Sequence, residues 1–296
     1  MKPWKAELLL LLMTIVWGAT FMFTKIGLEN TGPFFYLILR FLVAIILVFV
    51  FFSKKLFPIK GALIQQGIFL GILFGLGFIL QTTGLERTSI QKSAFITGLT
   101  VVLTPFTFRI ISRRKIMLFS KIGVVIAAVG LYLFTNPSVG NLNLGDLLTL
   151  FSTICWALFI TYLDVFTKDD HSFKSTIQLV FLQMIAAVGV ITIGFFLFEF
   201  SSFRFVINYD LISSVAFNGI LASFILMIVH TNYQRYTTPV KAALIFSMEP
   251  IFAAFFAFAF MSEYLNQLET IGAVIMMTGV LSSELGQPML KLFKRA

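Results

Sequence analysis

The sequence predicts an all-α integral membrane protein of ten transmembrane helices, arranged as two inverted five-helix repeats. Three observations predict it. Of the 296 residues, 58% are hydrophobic and 12% charged, with a mean hydropathy of +0.96; a soluble chain carries about a quarter charged residues. Apolar runs near the length a helix needs to cross the hydrocarbon core recur about ten times. The chain also echoes itself. At a shift of about 149 residues, Gln81-Thr82-Thr83 is answered by His230-Thr231-Asn232, Thr88-Ser89 by Thr237-Thr238, Lys92 by Lys241, Gly123 by Gly272 and Gly130 by Gly279. At a shift of about 139, Glu7-Leu8-Leu9 is answered by Asp146-Leu147-Leu148, and Thr14, Ile15 and Trp17 by Thr153, Ile154 and Trp156. Repeats with an odd number of spans cross the bilayer in opposite senses.

The first repeat, residues 1–136, holds spans at 8–27, 34–52, 62–84, 93–111 and 118–135. The second, 137–296, holds spans at 145–166, 175–198, 211–233, 240–261 and 265–285. Lys2-Pro3-Trp4-Lys5 before an apolar stretch superficially resembles a signal peptide. No small-residue cleavage site follows, so it is read as an uncleaved first helix. The second span opens after the turn Thr31-Gly32-Pro33. The third carries Gly67, Gly71 and Gly75, a small-xxx-small ridge suited to close helix packing, and Gly219 in the eighth echoes it. The fourth carries Ser93, Thr97, Thr100 and Thr104 at three- and four-residue spacing, a polar stripe on one face. Asn136-Pro137-Ser138 closes the fifth, and no connecting loop is long enough for a soluble domain.

The net charge of +9 does not indicate nucleic acid, because the basic residues sit in short loops between spans. With a cytoplasmic N-terminus, the outward segments hold only Lys25, Arg87, Lys92 and Arg204 of the 22 Lys and Arg residues, and Arg40 lies within a span. The excess of positive charge on the other side predicts that both termini are cytoplasmic. The basic Arg113-Arg114-Lys115 loop is read as a topological anchor, with anionic-lipid contact the weaker reading. The single Cys155 excludes an intrachain disulfide and reads as a small core residue.

Six pieces recur in a specific order: Trp17-Gly18-Ala19-Thr20, Arg40-Phe41-Leu42-Val43-Ala44, the run from Thr88 to Leu99 followed by Thr104-Pro105, Thr237-Thr238-Pro239-Val240-Lys241, Ser247-Met248-Glu249-Pro250 and Met261-Ser262-Glu263. In that order they resemble the ten-helix EamA-type family of the drug/metabolite transporter superfamily. Two departures stand out. Arg113-Arg114 occupies a place where many members carry an acidic residue, and Pro105 and Pro250 are out of register by about one helical turn. The resemblance implies a secondary transporter that moves a small metabolite by alternating access, most simply an exporter of amino acids or related compounds. Import of a metabolite or nucleotide-type substrate is the alternative. It implies a bacterial inner membrane, and no cofactor is expected.

Polar side chains inside a membrane need a partner or a watery cavity, so they are the site candidates. Glu249, about 12 Å into the ninth span, is read as a proton carrier or a substrate-amine ligand, or as the structural partner of Arg40 or His230. His230 is the second candidate for proton coupling; it and Gln81 are expected near helix ends at opposite membrane faces. Asn232 and Tyr233 could offer polar groups to a ligand. Trp17 and Trp156 lie at mid-depth, away from the interface tryptophan prefers, and could wall a midplane cavity. Ser93, Thr97 and Thr100 are read as cavity lining. Lys25 is expected to snorkel and Arg40 to pair structurally. Asp169-Asp170-His171 has no further ligands nearby and is read as a solvated loop, so no metal site is expected.

An intramembrane enzyme would need a convergent catalytic set, and the sequence has no HExxH and no paired-aspartate metal motif within a span. A channel would need a filter loop or a charged ring, and neither is found.

Overall fold

The computed structural model describes residues 1–135, 143–261, 266–268, 270–279 and 282. They form an all-helical protein whose only extended pairing, among the described residues, is the isolated bridge between Thr31 and Phe205. The first three spans are continuous helices: α1 Pro3–Leu28, α2 Pro33–Leu56 and α3 Gly61–Glu86. Proline opens α1 and α2, where its missing N–H costs nothing. The fourth span is broken at Leu99 into α4 Ile90–Gly98 and α5 Thr100–Ser112. Arg113, with φ of 52°, turns the chain out of α5, and α6 Leu118–Thr135 follows. The second repeat opens with α7 Leu144–Thr167, started by an Asn143/Asp146 capping box, and continues with α8 Phe173–Phe198. The eighth span is α9 Tyr209–Ala216, a π-helical stretch Phe217–Ile225 and α10 Leu226–Tyr233. The ninth is broken between α11 Pro239–Phe246 and α12 Glu249–Met261. In the tenth, Thr270–Gly279 forms α13; the rest of that span, the Met261-Ser262-Glu263 motif beyond Met261 and the repeat boundary at 136/137 lie outside the described residues.

Eight spans are long and apolar enough to cross a membrane, and the two shorter apolar helices, Leu118–Gly130 and Thr270–Gly279, complete the ten-helix arrangement. The main core lies where α3 packs between α7 and α8, around the fully buried Phe41, Phe74 and Phe159. The glycine ridge on α3 makes this possible. A Cβ on Gly67 would stand 2.4 Å from Leu182 Cβ, and one on Gly71 2.4 Å from the carbonyl oxygen of Gln183. Close approach of this kind replaces the hydrophobic drive that lipid removes. The outer surface is apolar, with Phe51, Ile110, Phe198 and Phe260 exposed as lipid-facing side chains require.

The inverted symmetry is written into one crossing. A Cβ on Gly130 would meet Met276 N at 2.5 Å and Gly272 O at 2.7 Å; one on Gly279 would meet Ala127 N and Gly123 O, both at 2.7 Å. Each contact maps onto the other at the sequence shift, so α6 and α13 cross isologously, as across a two-fold axis.

Lys25, expected to snorkel, reaches the C-terminal end of α3. Its Nζ donates to the carbonyl oxygens of Leu85, Glu86 and Thr88, at 2.7, 3.2 and 2.9 Å. The C-terminal end of α3 exposes carbonyls with no helical partner, and a cation there satisfies them.

Candidate functional site

Both broken spans reach the centre of the molecule. Pro105 and Pro250 have no amide hydrogen, so the carbonyls of Val101 and Phe246 lose their usual donors. The prolines are out of register between repeats, but the breaks are not: Leu99 and Met248 stand at equivalent positions. Glu249 is thereby the first residue of α12. A half-helix N-terminus inside a membrane carries partial positive charge, which suits a carboxylate.

Around these breaks lies a cavity of about 90 Å³. Its walls are largely aromatic. Trp17 lies 5.3 Å from Phe246, and Trp156 lies 4.9 Å from Phe78 and 5.8 Å from Phe74, by ring centroids. The buried imidazole of His230 sits edge-on to Trp17 at 5.4 Å and to Phe246 at 5.1 Å. Its polar groups come from both repeats: Thr20, Arg40, Gln81, Thr97 and Thr100 from the first, His230, Ser247 and Glu249 from the second.

Most of these groups are held by a neighbour. Gln81 Nε2 donates to Thr97 Oγ1 at 2.9 Å, and the hydroxyls of Thr97 and Thr100 donate back to the carbonyls of Ser93 and Thr97. Gln234 Nε2 donates to Ile160 O, so its Oε1 accepts from His230 Nε2. That leaves His230 Nδ1 as a buried acceptor with no partner, and the buried Trp156 Nε1 is likewise an unpartnered donor. A buried polar atom left unmatched is costly.

Arg40 lines the cavity from α2 and is also paired structurally. Its Nε donates to Ser223 Oγ at 2.7 Å, and its guanidinium lies 4.6 Å from the ring centre of Phe78. Ser223 belongs to the π-helical stretch, and the widened turn brings it to α2. Gly219 permits the approach, since a Cβ there would stand 2.9 Å from Val43. Arg40 and Glu249 interact electrostatically across the cavity, yet no ion pair within 4.0 Å joins them.

The structure gathers Trp17, Gln81, Thr97, Thr100, Trp156, His230 and Glu249 around this one cavity. Gln81 and His230, expected near helix ends at opposite faces, both line this one cavity, His230 from the last turn of α10. Three expected residues are not brought there. Ser93 is buried one turn before Thr97, outside the cavity. Asn232 Oδ1 accepts from Thr176 of α8, and Tyr233 packs toward Tyr236. At about 100° per residue, Asn232, two positions beyond His230, faces away from the cavity. Thr20, Phe74, Phe78 and Phe246 were missed, because nothing in a uniformly apolar helix marks which face turns inward. His171 stacks on Tyr236 at 5.6 Å, and among the described residues no three His, Cys, Asp or Glu side chains are grouped to hold a metal.

A cavity between two inverted repeats, lined by helices broken at mid-depth, defines a membrane transporter. The comparisons give the family. A model of the EamA-like transporter family matches residues 4–136 and 143–283, and the chain belongs to that family. It is 29% identical over 276 residues to an uncharacterized transporter of Archaeoglobus fulgidus, covering 93% of this chain and 84% of that one. An uncharacterized transporter of Bacillus subtilis, YyaM, is 28% identical, covering 96% and 94% of the two chains. A probable amino-acid metabolite efflux pump of Escherichia coli is 26% identical, covering 93% of each. One solved structure, described only as the crystal structure of a protein, shares the fold, with a TM-score of 0.76 over 95% of this chain and 98% of that one at 13% identity.

Proposed function

We propose that the chain exports amino acids or closely related zwitterions by alternating access through the central cavity, with both termini cytoplasmic in a bacterial inner membrane. The observation that carries this reading is that Arg40 and Glu249 both line one aromatic-walled space with no ion pair between them. An α-amino acid carries the complementary charges. Its carboxylate fits the guanidinium, which binds carboxylates in a planar fork. Its ammonium fits Glu249, with His230 Nδ1 as a second acceptor. Trp17, Trp156 and the phenylalanines suit an apolar or aromatic side chain. The amino-acid efflux relatives support the same direction and substrate class.

Glu249 and His230 are also the groups able to exchange a proton with the substrate amine, so protons are the coupling ion in this reading. A strongly anionic substrate such as a nucleotide sugar would want several buried cations, and the cavity offers Arg40 alone among its described lining residues. The test is flux into liposomes of a labelled amino-acid panel at several pH gradients, beside Glu249→Gln. Saturable flux, with no chemical change to the solute, that follows the gradient and is lost in the variant is the expected result. Saturable flux indifferent to both would remove Glu249 and protons from the mechanism, and no flux for any amino acid would remove the substrate class.

A further inference from the structure

The residues that reveal the sequence repeat also meet in space, crosswise. Glu7 Oε1, in the first repeat, accepts from Lys241 Nζ at 3.0 Å and from Thr237 Oγ1 at 2.9 Å, both in the second. Asp146, in the second repeat, accepts from Thr88 Oγ1 at 2.6 Å and lies 3.5 Å from Lys92 Nζ, both in the first. Glu7 answers Asp146, Thr237 answers Thr88 and Lys241 answers Lys92 in the duplicated sequence. Two copies of one carboxylate–threonine–lysine clasp therefore join the repeats, one tying α1 to α11 and the other tying α7 to α4. The lysine side of each is braced alike: Ser89 caps α4 by accepting from Lys92 N, and Thr238 caps α11 by accepting from Lys241 N.

Their placement is what gives them meaning. The helices α1 and α7 enter the membrane from opposite faces, so the clasps stand at opposite ends of the molecule. Trp17 lies about ten residues beyond Glu7, and Trp156 about ten beyond Asp146, which puts each clasp roughly 15 Å from the cavity wall. The same four helices also line the cavity, with Trp17 on α1, Trp156 on α7, Phe246 on α11 and Thr97 on α4. Opening the cavity to one face requires α1 to part from α11, or α7 from α4, and so requires one clasp to break.

We propose that these two clasps are the paired gates of transport, released in alternation. Glu7–Lys241–Thr237 seals the face where α1 begins, and Asp146–Lys92–Thr88 seals the face where α7 begins. Both are closed in this structure. They are partly buried, charge-assisted contacts, strong enough to hold a face shut and small enough to break in each cycle. The inference rests on the alternating-access reading but not on the identity of the substrate.

The test uses the full-length protein with Cys155→Ser and a single reporter cysteine, Thr20→Cys, in the cavity wall. Labelling by a membrane-impermeant maleimide is followed separately from each face in vesicles of known orientation. Asp146→Asn is expected to speed labelling from the α7 face by at least about fivefold, the effect of one lost charge-assisted hydrogen bond, without speeding it from the other. Glu7→Gln is expected to do the reverse. Because Asp146 also caps α7, Lys92→Met serves as a second route to the same opening, and the double variant should open no further than either single. Unchanged labelling in all variants, or a change at the same face for both clasps, would overturn the proposal. No amino-acid flux together with face-specific opening would sink the substrate reading and leave the gates; flux without such opening would do the opposite.

Discussion

The two repeats share a scaffold and differ in chemistry. At equivalent positions stand Gln81 and His230, Thr97 and Phe246, Gly98 and Ser247, Thr100 and Glu249, and all eight line the cavity. The first repeat contributes an amide and hydroxyls already tied to one another; the second contributes an imidazole and a carboxylate with capacity to spare. The difference teaches what duplication fixes. A symmetric scaffold has two equivalent ways to tilt, which serves alternating access. A site on the symmetry axis is reached from either face, so one carboxylate suffices for both. Symmetry is held where helices pack and lost where the cavity is lined.

The sharpest way to break that comparison is to neutralise equivalent positions. Glu249→Gln is expected to lower amino-acid flux about 10-fold or more, as losing a charge-assisted hydrogen bond predicts, while Thr100→Val changes it less than about 3-fold. Thr100 already spends its hydroxyl on the carbonyl of Thr97. Equal losses, measured in liposomes at matched protein content, would mean that the repeats share the ligand equally.

The scaffold predicts the opposite outcome. Gly130→Ala and Gly279→Ala each drive a Cβ into the backbone of the facing helix, to 2.5 and 2.7 Å at the nearest atoms. Each is expected to cost about 1–3 kcal/mol, and by similar amounts, in thermal unfolding in detergent. Gly189→Ala meets nothing within 4 Å and faces outward, so it should leave unfolding unchanged or slightly raise it. Unequal losses at the two crossing glycines would mean that α6 and α13 do not cross symmetrically in the membrane.

Legibility in the sequence follows the same division. Helix number, the glycine ridge and the mid-depth tryptophans were readable, because each depends on spacing along one helix. The partners of Arg40 and Lys25 were not legible, because what a membrane cation meets depends on the helix facing it. Lys25 meets the carbonyl end of α3 and Arg40 meets a serine on a π-helical stretch, and no local pattern announces either. In water, an amphipathic stripe tells which face turns inward; in lipid both faces are apolar. The inward face of α3 therefore had to be seen before Phe74 and Phe78 could be placed.

A milder exchange makes the repeats more alike. His230→Gln gives the second repeat the side chain that the first carries at Gln81. It removes the free Nδ1 acceptor and the ring packed between Trp17 and Phe246. A loss of about 2- to 10-fold in flux is expected, the scale of one neutral hydrogen bond. No loss, measured across the same pH gradients, would assign the imidazole to packing alone.

The smallest expected effect lies outside the spans, where the repeats also part. The link between α2 and α3 is the short 57–60, whereas its counterpart, 199–208, folds back over the α1–α2 turn. There Glu199 accepts from the amide N–H groups of Phe34 and Phe35 at 2.8 and 3.1 Å, satisfying the start of α2. Burial pushes its carboxyl above the usual carboxylate range; Glu86 adds to this, while the two amides and Arg204 oppose it. The folded protein therefore binds this proton more tightly than the unfolded chain does. The resulting stabilisation is fully present below the ordinary carboxylate pKa and is lost as pH rises through the raised value. The unfolding temperature should accordingly fall slightly across that window, and Glu199→Gln should remove this part of the slope whatever it costs at every pH. A slope unchanged in the variant would move the titration to another carboxylate and leave Glu199 as the fixed cap that only the second repeat supplies.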